Sequence, residues 1–307
     1  MGINNYKDEC QLVLEAADSI FFNKHTEMKL AICALLSGGH LLLEDVPGVG
    51  KTTLAFFLSH IFGLGASRIQ CTNDLLPSDI IGSMVFKQSS ESFDFKQGPL
   101  FGDIVLADEL NRASPKTQSA FLQAMEEKRV NVDRKEFKLS ENFLVIATQN
   151  PIEQVGTFPL PESQLDRFFI SMSLGLPGRD FEKRILKSEN IKQSIEKIVP
   201  VFDADSFLKL KLDVSRVGYT DELLDYILDL LAYGRNEIDH GYVLSPRSGK
   251  DLLRAAKAHA YISQRDYVST EDVRFVAPGV LSHRLGGRRG RAYGLELSKK
   301  VLDAVSV

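Results

Sequence analysis

From Leu41 to Leu174, short apolar runs alternate with longer stretches whose apolar residues recur at helical spacing. The runs are Leu41–Leu43, Arg68–Thr72, Ile104–Ala107, Phe143–Thr148 and Phe168–Leu174. Each is largely free of polar alternation, as expected of strands covered on both faces of a parallel sheet. Between them, Thr52–Phe62 (stopped by Gly63) and Pro115–Lys128 read as helices. Ser114 suits the N-cap of the second and Pro115 its first position. Alternation of this kind predicts a helix–sheet–helix sandwich of the α/β class.

Two stretches break the alternation. "MVFKQSSESFDF" (Met84–Phe95) and "RVNVDRKEFKL" (Arg129–Leu139) carry period-two apolar positions around a polar centre, which predicts two β-hairpins. Beyond about Gly175 the pattern is helical throughout, with start signals at Thr220-Asp221, Ser245-Pro246 and Ser269-Thr270. A boundary near Pro177-Gly178 divides the chain into an α/β domain, residues 1–176, and an all-helical domain, residues 177–307. The segment "GGRRGRAYG" (Gly286–Gly294) is basic and glycine-rich and reads as a flexible surface turn.

Composition narrows the class only a little. The 307 residues can bury a sizeable core, and 44% hydrophobic with 25% charged residues is ordinary for a globular protein. A formal net charge of −4 gives no global attraction to nucleic acid or an anionic membrane. Cys10, Cys33 and Cys71 form no CxxC pair, so reduced thiols are expected, and the six histidines lack metal-ligand spacing. The sequence contains no apolar run of membrane-spanning length and no leader pattern, so a cytoplasmic location without membrane insertion is expected.

Chemistry enters at "LLLEDVPGVGKTTLAFFL" (Leu41–Leu58). A strand, a loop of Pro47, Gly48, Val49 and Gly50, then Lys51, Thr52 and Thr53 opening a helix, match a phosphate-binding loop. Backbone N–H groups there surround an anion, the lysine reaches the β- and γ-phosphates, and the threonine hydroxyl binds Mg²⁺. The usual first glycine is replaced by Asp45, at the strand exit, where Pro47 and Gly48 can still supply the turn. "IVLADE" (Ile104–Glu109) ends an apolar strand in two carboxylates. Asp108 is placed as a second Mg²⁺ partner, and Glu109 to orient or deprotonate a water. "VIATQNP" puts Asn150 at another strand end, "QLDRFF" puts Arg167 just before the last strand, and "LSPRSGKDLL" puts Arg247 in the first turn of a helix. Taken singly, these also read as turn chemistry, a salt bridge and a helix start.

In chain order these features resemble the AAA+ ATPases. Longer phrases ("DLLPSDIIG", "GPLFGDIVLADELNRASPKTQSAFLQAMEE", "ATQNPIEQVGTFPLPESQLDRF" and "SPRSGKDLLRAAKAHA") resemble the MoxR family of AAA+ ATPases. The likeness covers all but the first dozen residues and the tail after His283. It departs at "FFNKHTEMK" (Phe21–Lys29), where the family usually has glycine after the apolar pair. The resemblance implies ATP/ADP and Mg²⁺ as cofactors, held by Pro47–Thr53 and Asp108, with Thr52 and Asp108 on the metal. It further implies Glu109 as catalytic base, Asn150 as sensor, Arg167 as arginine finger toward the neighbouring subunit, and Arg247 as lid sensor. A five-stranded sheet of order 5-1-4-3-2 is implied, with the strand before Lys51 expected between those ending in Glu109 and Asn150. So are a C-terminal helical lid, a homo-oligomeric ring (commonly a hexamer), and hairpins facing the pore or one ring face. The implied role is chaperone-like maturation of partner proteins, typically ones with a von Willebrand factor A domain. Two alternatives stay open: a nucleic-acid motor, suggested by Arg129, Arg134, Lys135 and Lys138, and a nucleotide-regulated scaffold with little turnover.

Overall fold

The computed structural model describes residues 6–151, 155–187, 190–236 and 244–306. Its strands are β1 (Leu41–Glu44), β2 (Ala66–Gln70), β3 (Gly82–Lys87), β4 (Ser92–Gln97), β5 (Ile104–Asp108), β6 (Arg129–Val132), β7 (Lys135–Lys138), β8 (Leu144–Gln149) and β9 (Ile170–Met172). The α/β part carries helices α1 (Lys7–Ile20), α2 (His25–Leu36), α3 (Lys51–Ile61), α4 (Pro77–Ile81), α5 (Pro115–Glu127) and α6 (Glu162–Leu165). The C-terminal part is helical: α7 (Arg179–Leu186), α8 (Ile191–Glu196), α9 (Ala204–Ser215), α10 (Asp221–Asn236), α11 (Pro246–Ile262), α12 (Thr270–Gly286) and α13 (Gly290–Ala304).

Five strands form one parallel sheet in the order β2-β5-β8-β1-β9. Numbered by their own sequence, this is the expected 5-1-4-3-2. One expectation about it is corrected: β8, which leads to Asn150, lies between β1 and β5, and β1 lies between β8 and β9. The pleat explains the continuous apolar runs. Leu41, Leu43, Ile104, Leu106, Leu144 and Ile146 join the core shared with α1, α2, α3 and the C-terminal helices. Leu42, Val105, Ala107, Val145 and Ala147 face the core built around α5. Each such Leu or Ile contributes about 2 kcal/mol over exposure.

β3 pairs with β4 and β6 with β7 as antiparallel hairpins outside the sheet. Phe95 of the first stacks on Phe137 of the second, ring centroids 4.1 Å apart.

The helical lid packs behind the core, α12 against β9 and α11 against α2. Its Gly286–Gly294 segment is not a surface turn. It ends α12 and, through a single 3-10 turn, opens α13. A Cβ on Gly294 would stand 1.7 Å from the Ser282 carbonyl oxygen, so glycine permits the close crossing of α13 over α12.

Candidate nucleotide site and its distant arginines

At the C-terminal edge of the sheet, β1 runs into the loop and then α3. Gly48 (φ +86°) and Gly50 (φ +99°) hold left-handed backbone, which favours glycine. A Cβ on either meets no protein atom within 4 Å, so the concave loop leaves room for a phosphate to approach backbone N–H groups. Thr52 and Thr53 lie in the first turn of α3, which has no acidic residue there to compete with an anion. The Lys51 ammonium donates to the carbonyls of Asp45 (2.9 Å) and Val46 (3.4 Å), so its charge lies at the mouth of the loop.

Asp45 is buried and accepts three hydrogen bonds: from the Ser173 hydroxyl (2.6 Å), Leu174 N–H (2.7 Å) and Gly175 N–H (3.0 Å). The residue standing where a glycine is usual therefore ties the exit of β1 to the segment that leaves β9 for the lid. Phe21, Phe22, Lys24, Val49, Leu174 and Pro177 line a small, mainly apolar cleft beside Gly50. Where the resembling family has glycine, Asn23 takes the left-handed backbone itself (φ +57°), which asparagine tolerates.

Two strands away, Asp108 ends β5 with both oxygens engaged. One accepts from the Thr148 hydroxyl (2.7 Å) and the other from Arg68 (2.8 Å). Glu109 follows in left-handed backbone (φ 56°, ψ 49°), its N–H donating to the Thr148 oxygen at 2.8 Å. Its carboxylate lies 3.4 Å from both Gln70 Nε2 and Arg112 Nε. Burial, and then the charges of Asp108 and Glu109, push the Cys71 thiol up to about 12, marking it as inert. All three cysteines are free and buried. Asn150 follows β8, between the strands that carry Lys51 and Asp108.

Arg167 and Arg247 lie elsewhere. Both bind Glu126 at the end of α5, at 3.0 and 3.1 Å. They line a cleft of about 240 Å³ with Gly39, His40, Lys128 and Arg254, at the N-terminal edge of β1 and β9. Since the strands are parallel, this cleft and the Lys51 loop are at opposite edges of one sheet. The cleft is cationic; burial, followed by Arg254, lowers the pKa of Lys128.

Residues 40–170 match the ATPase family associated with various cellular activities (AAA), and residues 234–302 match the AAA lid domain. The chain is 42% identical over 272 residues to the uncharacterized protein YeaC of Bacillus subtilis, spanning 89% of this chain and 85% of that one. It is 38% identical to Chaperone MoxR1 of Mycobacterium tuberculosis, spanning 83% and 69%. It is 27% identical to Protein MoxR of Paracoccus denitrificans, spanning 88% and 86%. A crystal structure from Cytophaga hutchinsonii, described as a candidate ATPase, superimposes with a TM-score of 0.86 at 33% identity, over 98% of this chain and 95% of the other.

The chain belongs to the MoxR family of AAA+ ATPases. It is accordingly a nucleotide-binding protein of ATPase type, and the lid match, residues 234–302, carries the likeness past His283 into the tail, which corrects the expectation that the tail lies outside it. No group of three or more His, Cys, Asp or Glu among the described residues could cage a metal. Thr52 and Asp108 are of the oxygen type that Mg²⁺ takes, an ion that keeps waters and substrate phosphates among its ligands. Among the described residues, no helix is long and apolar enough to cross a membrane.

Sequence reasoning missed Thr148, Arg68, Arg112 and Glu126. Thr148 carried a signal, a hydroxyl inside an apolar strand. The others become visible only when strands and helices distant in sequence are juxtaposed.

Proposed function

We propose that this MoxR-family ATPase hydrolyses ATP with Mg²⁺ in a homo-oligomeric ring, at sites shared between neighbouring copies. The observation that carries this is the separation of Lys51, Thr52, Asp108, Glu109 and Asn150 at one sheet edge from Arg167 and Arg247 at the other. A copy cannot turn its own arginines on its own phosphates, whereas a head-to-tail neighbour can. In this reading the loop N–H groups and Lys51 hold the β- and γ-phosphates, and the Phe21–Phe22 cleft takes the base. Mg²⁺, held by Thr52 and Asp108, would neutralise phosphate charge. Glu109 accepts a proton from water as its oxygen attacks the γ-phosphorus, and the bond to the β-phosphate oxygen breaks to release ADP. Asn150 orients the water or γ-phosphate. The neighbouring copy's Arg167 and Arg247 offset the charge that grows on the γ-phosphate oxygens, an effect of roughly a thousandfold or more for a finger of this kind.

The boundary at 176/177 separates a nucleotide-binding core from a lid, with the two hairpins exposed on one ring face. The work is chaperone-like maturation of a cytoplasmic partner, of the type that carries a von Willebrand factor A domain. The name of the mycobacterial relative supports the chaperone part. Arg129 is paired with Glu136 at 3.0 Å, which engages one of the four basic side chains that suggest nucleic acid.

Glu109→Gln tests the proposal. It should keep ATP binding, lose about a hundredfold or more of turnover, and hold rings together long enough to capture the client. Turnover at the wild-type rate would remove Glu109 as the base. Single-stranded DNA in place of a protein client would overturn the chaperone role.

A further inference from the structure

A fully buried charge among the described residues that the proposed chemistry does not use is Arg284, on α12. Its side chain has no exposed surface. Nε donates to Asp166 Oδ1 (2.8 Å), Nη2 to Asp251 Oδ2 (2.6 Å) and to the Phe168 carbonyl (3.1 Å), and Nη1 to the Val280 carbonyl (2.6 Å). Asp166 immediately precedes Arg167. Asp251 lies one turn beyond Arg247 on α11. The Ser245 hydroxyl, at the start of that helix, also donates to Asp166 (3.2 Å).

Burying an arginine among carboxylates contributes little net stability compared with apolar packing, and its fixed planar fork specifies geometry instead. Here the fork joins the turn that presents Arg167 to the helix that presents Arg247, across the core–lid junction. We infer that Arg284 is a positioning residue that holds Arg167 and Arg247 as one two-armed unit for the neighbouring copy's phosphates. This rests on the shared-site reading. Losing the fork would let the two arginines drift independently, and a misplacement of about 1 Å can cost roughly a hundredfold in rate.

The test is directional complementation. Arg284→Lys keeps the charge and loses the fork. It should bind ATP within a few-fold of wild type and assemble, with turnover down by roughly a hundredfold. Its own phosphate site is untouched, so mixing with Lys51→Ala should restore turnover, and mixing with Arg167→Ala should not. A merely structural role would not show this direction. Asp251→Asn, which loosens the same fork from the other side, should behave alike and serves if Arg284→Lys fails to fold. The control is Arg167→Ala mixed with Lys51→Ala. If the control recovers and neither Arg284→Lys nor Asp251→Asn does, the inference fails while the shared site stands. Wild-type turnover in both variants, or failure of both to fold, would also overturn it. If the control itself does not recover, the shared-site reading falls and takes this inference with it.

Discussion

Asp45 shows how one residue changes the reading of a motif. By pattern alone it is a defect in a phosphate loop. In the fold its carboxylate accepts a hydroxyl and two N–H groups at the entrance to the lid linker. Asp45→Gly would restore the familiar pattern and strand the buried Leu174 N–H, while Gly175 N–H keeps the Ser173 hydroxyl at 3.1 Å. Leaving buried donors unpaired costs about 1–3 kcal/mol for each. We therefore expect Asp45→Gly to bind ATP within a few-fold of the parent and to lose about 1–3 kcal/mol of stability, measured by denaturant unfolding and nucleotide titration. A large gain in affinity with unchanged stability would show that the aspartate does compromise the loop. The sequence placed Asp45 at the strand exit and left the turn to Pro47 and Gly48. The partners were not legible, because they lie some 130 positions away.

At the scale of elements, His40 and His283 act as buried neutral pins. His40 Nδ1 accepts from the β8 backbone at Val145 (2.9 Å), and Nε2–H donates to the Met125 carbonyl on α5 (3.1 Å). Burial, against the Met125 hydrogen bond, lowers its pKa to about 4. His283 donates to the Phe168 carbonyl (2.9 Å), and burial, followed by the Arg284 charge, lowers its pKa well below the usual value. Both folded pKa values lie below the unfolded one, so the stability they confer is present above pH 6.5 or so and is lost as the pH falls toward the folded values. Each histidine should cost about 1.4 kcal/mol per pH unit across that window. Stability measured from pH 7 to 5 should fall accordingly, and His40→Gln should flatten the slope. An unchanged slope in the variant would contradict the assignment. Strands β1, β5, β8 and β9 were legible because burial on both faces leaves a continuous apolar run; β2, at the sheet edge, is not covered on both faces and keeps only Ile69 buried. The α12–α13 crossing was not, since glycines needed for close packing look, in sequence, like those of a turn. The cap at Ser114 was legible, its hydroxyl accepting from Thr117 N–H, because capping is a local interaction.

For the whole molecule, the decisive feature is that one sheet carries its phosphate-binding half and its paired arginines at opposite edges. The motifs could be found in the sequence and their chemistry assigned by type. That Arg167 and Arg247 meet on Glu126, and are joined through Arg284, depends on the docking of the lid and had no local signal. The most direct measurement of the central claim is ATP turnover in mixtures of Arg167→Ala and Lys51→Ala. Each alone should be nearly inactive, the first with normal nucleotide affinity and melting. In randomly mixed rings roughly a quarter of the interfaces pair an intact phosphate loop with an intact arginine edge, so turnover should return in about that proportion. Mixed rings that assemble without any recovery, with Arg167→Ala alone melting early, would contradict a site shared between copies.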